Sequence, residues 1–84
     1  MIEFDYVIKD EIGIHARPAG LLVKKAKEAG CSVVVAKDGK SADATRLMAI
    51  MQLGVKHGDM IHVSVDTEDE SVADEIKSFF EANL

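Results

Sequence analysis

The chain has 84 residues, of which 48% are hydrophobic and 30% are charged, and its formal net charge is −5. This length predicts one domain over residues 1–84, with enough apolar side chains for a single core. The acidic balance disfavours a nucleic-acid partner, because phosphate binding depends on an excess of Lys and Arg. The only cysteine, Cys31, excludes an internal disulfide and is typical of a reducing compartment. No apolar run approaches the roughly 20 residues of a membrane span, and no signal-peptide pattern is present. We therefore expect a cytoplasmic domain that does not insert into membranes.

The first half of the chain alternates between strand and helix patterns. Residues 2–9 alternate apolar and polar positions and predict a strand. Residues 16–29 carry apolar side chains at three- and four-residue spacing and predict a helix, with Pro18 in its first turn. A β-branched run predicts a strand over residues 32–37. The pair Asp38-Gly39 predicts a two-residue hairpin that leads into a partner strand over residues 40–43.

The second half continues the alternation. A short helix is predicted over residues 46–53 with Thr45 as its cap, followed by a turn at residues 56–59 and a strand over residues 60–66. A final helix is predicted to run to about Asn83, opened by a capping box of Thr67 and Glu70. The order β-α-β-β-α-β-α predicts an α+β fold in which helices pack on one face of an antiparallel sheet.

Two of the three histidines are predicted to be solvated surface groups. His57 lies in a polar turn, and His62 points outward on an alternating strand. Neither has a second ligand at metal-binding spacing nearby, so we expect no metal site.

His15 has a different setting, directly before the predicted start of the first helix. A helix N-terminus offers unpaired backbone N–H groups and a partial positive charge, which keep an imidazole neutral and nucleophilic. The same N–H groups can receive an anion, and the guanidinium of Arg17 has a geometry that matches phosphate. These features indicate a phosphoryl-acceptor site. The alternative is that His15 only caps the helix and Arg17 is a solvated charge.

Two segments resemble a known family. The sequence GIHARPA at residues 13–19 resembles the active-site signature of HPr, the histidine phosphocarrier family of the bacterial sugar phosphotransferase system. The sequence LMAIMQLG at residues 47–54 resembles the family's segment around its short helix, and the interval between the two segments also fits.

The resemblance implies an HPr-like open-faced β-sandwich, with a four-stranded antiparallel sheet under three helices. His15 would accept a phosphoryl group on Nδ1 from phosphorylated enzyme I, itself charged by phosphoenolpyruvate, and pass it to the IIA domain of a sugar permease. Arg17 would compensate the charge of the phosphate, and the backbone N–H groups of Ala16 and Arg17 would bind it. Such a protein is a stoichiometric carrier rather than an enzyme, and we expect a monomer without cofactor or metal.

The resemblance also assigns a docking surface to the short helix. We expect Met48 and Met51 to contact enzyme I and IIA domains, because flexible Met side chains adapt to several partners. Arg46, Leu47 and Gly20 are expected to contribute. The alternative is that the apolar members of this set belong to the core, and we expect Leu47 and Ile50 to be at least partly buried.

One position departs from part of the family. In many low-GC Gram-positive bacteria the short helix begins with a serine that a dedicated ATP-dependent kinase phosphorylates, and Arg46 occupies that position here. We therefore expect this regulation to be absent. The neighbouring hydroxyl, that of Thr45, could accept phosphate in principle but is better explained as the helix cap. Three other interpretations are a regulatory module that binds a transcription factor or metabolic enzyme, a carrier of a specialised nitrogen-related branch, and an unrelated small enzyme such as a phosphatase.

Overall fold

The computed structural model describes residues 1–11, 14 and 16–84. Within them the strands are β1 (Ile2–Val7), β2 (Val33–Lys37), β3 (Lys40–Asp43) and β4 (Met60–Val65), and the helices are α1 (Ala16–Ala29), α2 (Leu47–Gln52) and α3 (Glu70–Asn83). The strands form one antiparallel sheet in the order β1-β4-β2-β3. The predicted α+β fold and its element order are confirmed.

The core lies between one face of this sheet and the helices. Strand positions alternate between the two faces, so that Ile61, Val63 and Val65 are buried while His62 and Ser64 lie on the other face. Phe80 of α3 is fully buried, and its ring packs against Phe4, Tyr6 and Phe79. The helices therefore cover one face, and the opposite face of the sheet remains open to solvent.

Hydrogen bonding explains where the strand boundaries differ from the prediction. β1 ends at Val7 rather than at residue 9, because the carbonyl of Ile8 accepts from the N–H of Gly58 instead of that of Asp59, and the N–H of Lys9 donates to the carbonyl of Leu84. β2 begins at Val33, one residue later than predicted. The hairpin prediction is confirmed by positive φ angles of 50° at Asp38 and 81° at Gly39, which a type I′ turn requires.

Both helix caps were predicted wrongly. Thr45 does not cap α2, since its N–H and Oγ1 donate to Asp43 Oδ1, the stronger acceptor, at 2.9 and 2.7 Å. Arg46 occupies the N-cap position of α2 without a side-chain hydrogen bond. At α3 the cap is Asp69 rather than Thr67, and Asp69 Oδ1 accepts from the N–H and Oγ of Ser71 at 2.9 and 2.6 Å. Thr67 Oγ1 accepts from the N–H of Asp69 at 3.0 Å, and thus lies one turn before the helix.

None of the helices in the described part of the chain is both long and apolar enough to cross a membrane.

Candidate functional site

The predicted acceptor site is at the beginning of α1. Ala16 and Arg17 are its first two residues and both are exposed, whereas Pro18 and Ala19 are buried against the core. The first N–H groups of a helix lack intrahelical partners, and the first turn of α1 holds no acidic residue that would compete for them. The first turn of α1 therefore places the Arg17 cation at the surface, beside the backbone N–H groups of the helix start. The predicted phosphoryl acceptor, His15, lies outside the described residues.

Arg17 borders a shallow depression between the start of α1 and the end of α3. The depression has a volume of about 330 Å³ and is lined by Asp10, Arg17, Pro18, Leu21, Ala82 and Asn83. Arg17 forms no ion pair with any residue that the structure describes. Its guanidinium donors are therefore available to an anion at this end of the helix.

Backbone hydrogen bonds hold the described residues of the connection from β1 to α1. Ile8 exchanges backbone hydrogen bonds with the segment before β4, through Gly58 N–H and the Asp59 carbonyl at 2.9 Å each. The carbonyl of Leu84 accepts from both residues 9 and 10, at 2.6 and 2.8 Å. The N–H of the buried Ile14 donates to the carbonyl of Val55 at 3.2 Å. The residue directly before His15 is thus fixed to the segment that follows α2.

The short helix α2 exposes most of the predicted docking residues. Met48 is 65% exposed, Leu47 39% and Met51 38%, whereas Ile50 is fully buried. Leu47 is more exposed than expected, so α2 anchors itself mainly through Ile50. This helix packs against α1 and leaves one apolar side open to solvent.

Gly20 and Arg46, the other two predicted docking residues, are also exposed. A Cβ placed on Gly20 would meet no atom within 4 Å, so packing inside the chain does not require a glycine there. Arg46 precedes a helix whose first turn has no acidic residue. The cation is offset by Asp43, whose carboxyl pKa is lowered by its hydrogen bonds from Thr45 and, to a smaller extent, by the charge of Arg46.

Sequence reasoning missed the exposed apolar Leu21 on α1. Leu22, its neighbour, is fully buried. Leu22 continues the three-residue spacing from Ala19 and the four-residue spacing to Ala26, whereas Leu21 lies about 100° away from Leu22 around the helix. The spacing to Ala19 and Ala26 was the available signal.

His62 points to the open face of the sheet as predicted, but its ring is not a lone solvated group. Nδ1 lies 2.8 Å from Asp5 Oδ1, and Nε2 lies 2.8 Å from Glu3 Oε1. These two carboxylates raise the pKa of His62, the hydrogen bond that its ring donates to Glu3 being the largest cause, and the same contact lowers the pKa of Glu3. The ring thus pairs with both acidic side chains of β1 on the open face of the sheet.

Within the described residues, no group of three or more His, Cys, Asp or Glu side chains is arranged to hold a metal ion. In the cluster on β1 and β4, the two carboxylates bind opposite edges of the imidazole, so that the ring itself occupies the space between them.

Comparisons with known proteins agree with this geometry. A family model described as the PTS HPr component phosphorylation site matches residues 2–82. The chain is 38% identical over 74 residues to the phosphocarrier protein HPr of Mycoplasma genitalium, which covers 87% of this chain and 84% of that protein. The crystal structure of HPr-C-His from Thermoanaerobacter tengcongensis superposes with a TM-score of 0.89 at 33% identity, covering 99% of this chain and 94% of the other. An HPr dimer from the same organism gives a TM-score of 0.73 at 34% identity, covering 98% and 95%.

Proposed function

The chain belongs to the HPr family of phosphocarriers of the bacterial phosphotransferase system, and we propose that it carries a phosphoryl group on His15. The group comes from phosphorylated enzyme I and passes to the IIA domain of a sugar permease. The match of the phosphorylation-site model over residues 2–82 carries this proposal. Exposed donors at the start of α1 support it, since an anion formed there meets two backbone N–H groups and the Arg17 guanidinium.

The transfer asks little covalent chemistry of the carrier. The lone pair on Nδ1 of a neutral His15 attacks phosphorus, a new P–N bond forms, and the donor's bond to phosphorus breaks with its electron pair returning to the donor. The charge on the phosphoryl oxygens is compensated by Arg17, and the N–H groups of Ala16 and Arg17 orient them. Positioning and charge compensation supply most of the rate enhancement in such a step. The protein is then a stoichiometric carrier, and we place it in the cytoplasm as a monomer.

Intact mass spectrometry tests the acceptor directly. After incubation with phosphoenolpyruvate and a bacterial enzyme I, the wild type should gain one acid-labile phosphate, and His15→Ala should gain none. His57→Ala is the matched control, because His57 is an exposed histidine in a turn, and it should be phosphorylated like the wild type. Failure of a folded wild-type sample with several enzyme I preparations would refute the carrier function and favour a regulatory binding module.

The exposed side of α2 is the proposed docking surface, which we define as Leu47, Met48 and Met51 together with Gly20 and Arg46. Its apolar part is exposed in the free chain, and Met side chains adapt to partners of different shape. Enzyme I and IIA domains must use the surface in turn. A monomer leaves it open to each, and light scattering of the purified chain at working concentration tests that state.

Arg46 sets this docking surface apart. It supplies no hydroxyl, so an ATP-dependent kinase specific for the serine of other family members should give no product. We propose that its exposed guanidinium instead favours an acidic partner. The first turn of α2 has no acidic residue that would pair with Arg46 within the helix. Arg46→Ser should weaken binding to that partner and allow kinase labelling. Unchanged affinity for every partner tested would refute the role in partner choice.

A further inference from the structure

Lys37, the last residue of β2, directs its ammonium away from its own hairpin. Nζ donates to the carbonyl of Gly54 at 2.9 Å and lies 2.8 Å from Asp59 Oδ2. Its side chain is only 16% exposed. Because an ammonium loses hydration when it is buried, a lysine in this position depends on charged and hydrogen-bonded partners. Lys37 therefore links the end of β2 to Gly54 and Asp59 and is not a solvated surface charge.

The two partners of Lys37 are the ends of one turn, which we call the 54–59 turn. Asp59 Oδ2 also accepts from the N–H of Lys56 at 2.8 Å, and the N–H of Asp59 donates to the Lys56 carbonyl at 3.0 Å. The hydrogen bond from Lys37 is the main cause of the lowered pKa of Asp59. One ammonium thus joins both ends of the turn and fixes its shape.

The 54–59 turn also binds the connection between β1 and α1 near both of its ends, at Ile8 and at Ile14. Ile8 is bound by residues 58 and 59, and the N–H of Ile14 donates to the carbonyl of Val55, the residue after Gly54. Ile14 and Val55 are both buried. The carbonyl that Lys37 binds, on Gly54, and the carbonyl that Ile14 binds, on Val55, belong to adjacent residues. A shift of the Gly54 carbonyl therefore also shifts the acceptor of the Ile14 N–H, and Ile14 is the neighbour of His15 in sequence.

We propose that Lys37 is a positioning residue for phosphoryl transfer, which acts by holding the 54–59 turn under Ile14. The inference rests on the proposed function of His15. Small displacements of a reacting group lower the rate of transfer strongly, whereas partner docking uses side chains on the exposed side of α2. Loss of the Lys37 ammonium should accordingly slow the transfer step without weakening docking.

The structural part of the proposal is tested by amide hydrogen exchange, followed by NMR. Lys37→Met keeps the packing of the methylene chain but removes the ammonium, and the exchange rate of the Ile14 amide relative to the Val63 amide should rise roughly tenfold. Lys37→Arg should restore most of the protection. Asp69→Ala, which removes the α3 cap, is the control for general destabilisation and should leave that ratio unchanged. An Ile14 ratio equal in the wild type and in Lys37→Met would overturn the proposal.

The functional part is tested by the kinetics of phosphorylation by enzyme I. In Lys37→Met the kcat should fall roughly tenfold with KM for this protein unchanged, and Lys37→Arg should recover most of it. An altered exchange ratio with an unaltered kcat, or a raised KM alone, would overturn the positioning role. If the wild type accepts no phosphate, the proposed function has failed, and the exchange ratio still decides whether Lys37 holds Ile14.

Discussion

The docking surface on α2 gives a prediction whose size follows from exposure. Met48 is 65% exposed in the free chain, and a partner that covers it removes that surface from water. Met51 is 38% exposed, so the same partner gains less from covering it. Met60, which is 60% exposed on the open face of the sheet, provides a methionine of similar exposure outside the docking surface.

The exposed fractions can be converted to affinities. Burial of a whole Met side chain contributes about 1.5–3 kcal/mol. Scaling by exposure gives about 1–2 kcal/mol for Met48 and about 0.6–1.1 kcal/mol for Met51. Replacement by Ala should therefore weaken binding to enzyme I by roughly 5- to 30-fold at Met48 and by roughly 3- to 7-fold at Met51.

Isothermal titration calorimetry with enzyme I measures these changes in Kd for Met48→Ala, Met51→Ala and the control Met60→Ala. The control should bind like the wild type. Thermal unfolding should show that all three variants remain folded, since the three side chains are exposed. The reasoning is refuted if Met60→Ala weakens binding as much as Met48→Ala, or if Met48→Ala has no effect.

Three further predictions concern stability. His62→Gln should cost more stability at about pH 5.5 than at about pH 9, since a raised pKa means that the imidazolium's contribution is complete below about 6.5 and is lost as pH rises through the folded value; equal urea-unfolding losses at both pH values would contradict this. Phe80→Leu should destabilise by about 2 kcal/mol, more than Phe79→Leu, because Phe80 loses three aromatic contacts and Phe79 one, and the reverse order in urea unfolding would disprove the account. Tyr6→Phe should leave the stability unchanged or raise it by up to about 1 kcal/mol, because the buried Tyr6 hydroxyl has no hydrogen-bond partner among the described residues; a lowered melting temperature would show that the hydroxyl is in fact paired.

The elements themselves could be predicted because each carries a local signal. Alternation in β4 matches the two faces of the sheet, and Asp38-Gly39 specifies a turn with positive φ at both positions. The helical spacing of residues 16–29 gave α1 its observed bounds. Boundaries failed where a non-local bond ended an element, as after Ile8, where the N–H of Lys9 donates to the carbonyl of Leu84 instead of continuing the ladder with β4.

The caps failed because an Asp carboxylate near each helix start is a better acceptor than a hydroxyl: at α2 it binds the predicted cap Thr45, and at α3 it caps the helix two residues after Thr67. Asp43-Ala44-Thr45 and Asp69-Glu70-Ser71 share the pattern Asp-x-Thr/Ser, and in both the Asp carboxylate accepts from the backbone and the hydroxyl two residues on. A charged acceptor forms the stronger hydrogen bond, so the hydroxyl becomes a donor. The pattern was present in the sequence twice and would have identified the cap at α3.

The side-chain pairs that tie the strands could not be read from the sequence at all. His62 meets Asp5 and Glu3 across 57 and 59 residues, and Lys37 meets Gly54 across 17. Such contacts depend on strand order and register, here Asp5 opposite His62 in β1 and β4. Composition and periodicity predict neither, so His62 was expected to be a solvated surface group and no role was predicted for Lys37.

On the proposed function, docking and transfer depend on neighbouring parts of one short segment. α2 ends at Gln52, and the 54–59 turn that holds Ile14 begins two residues later. Partner contacts on α2 can vary without moving the backbone that holds Ile14, because Ile50 anchors the helix in the core and Lys37 anchors the turn to β2. A carrier that meets unlike partners needs this independence, since its docking side chains must adapt while its acceptor stays in one position. Met48→Ala should therefore raise KM with kcat unchanged, whereas Lys37→Met should lower kcat with KM unchanged.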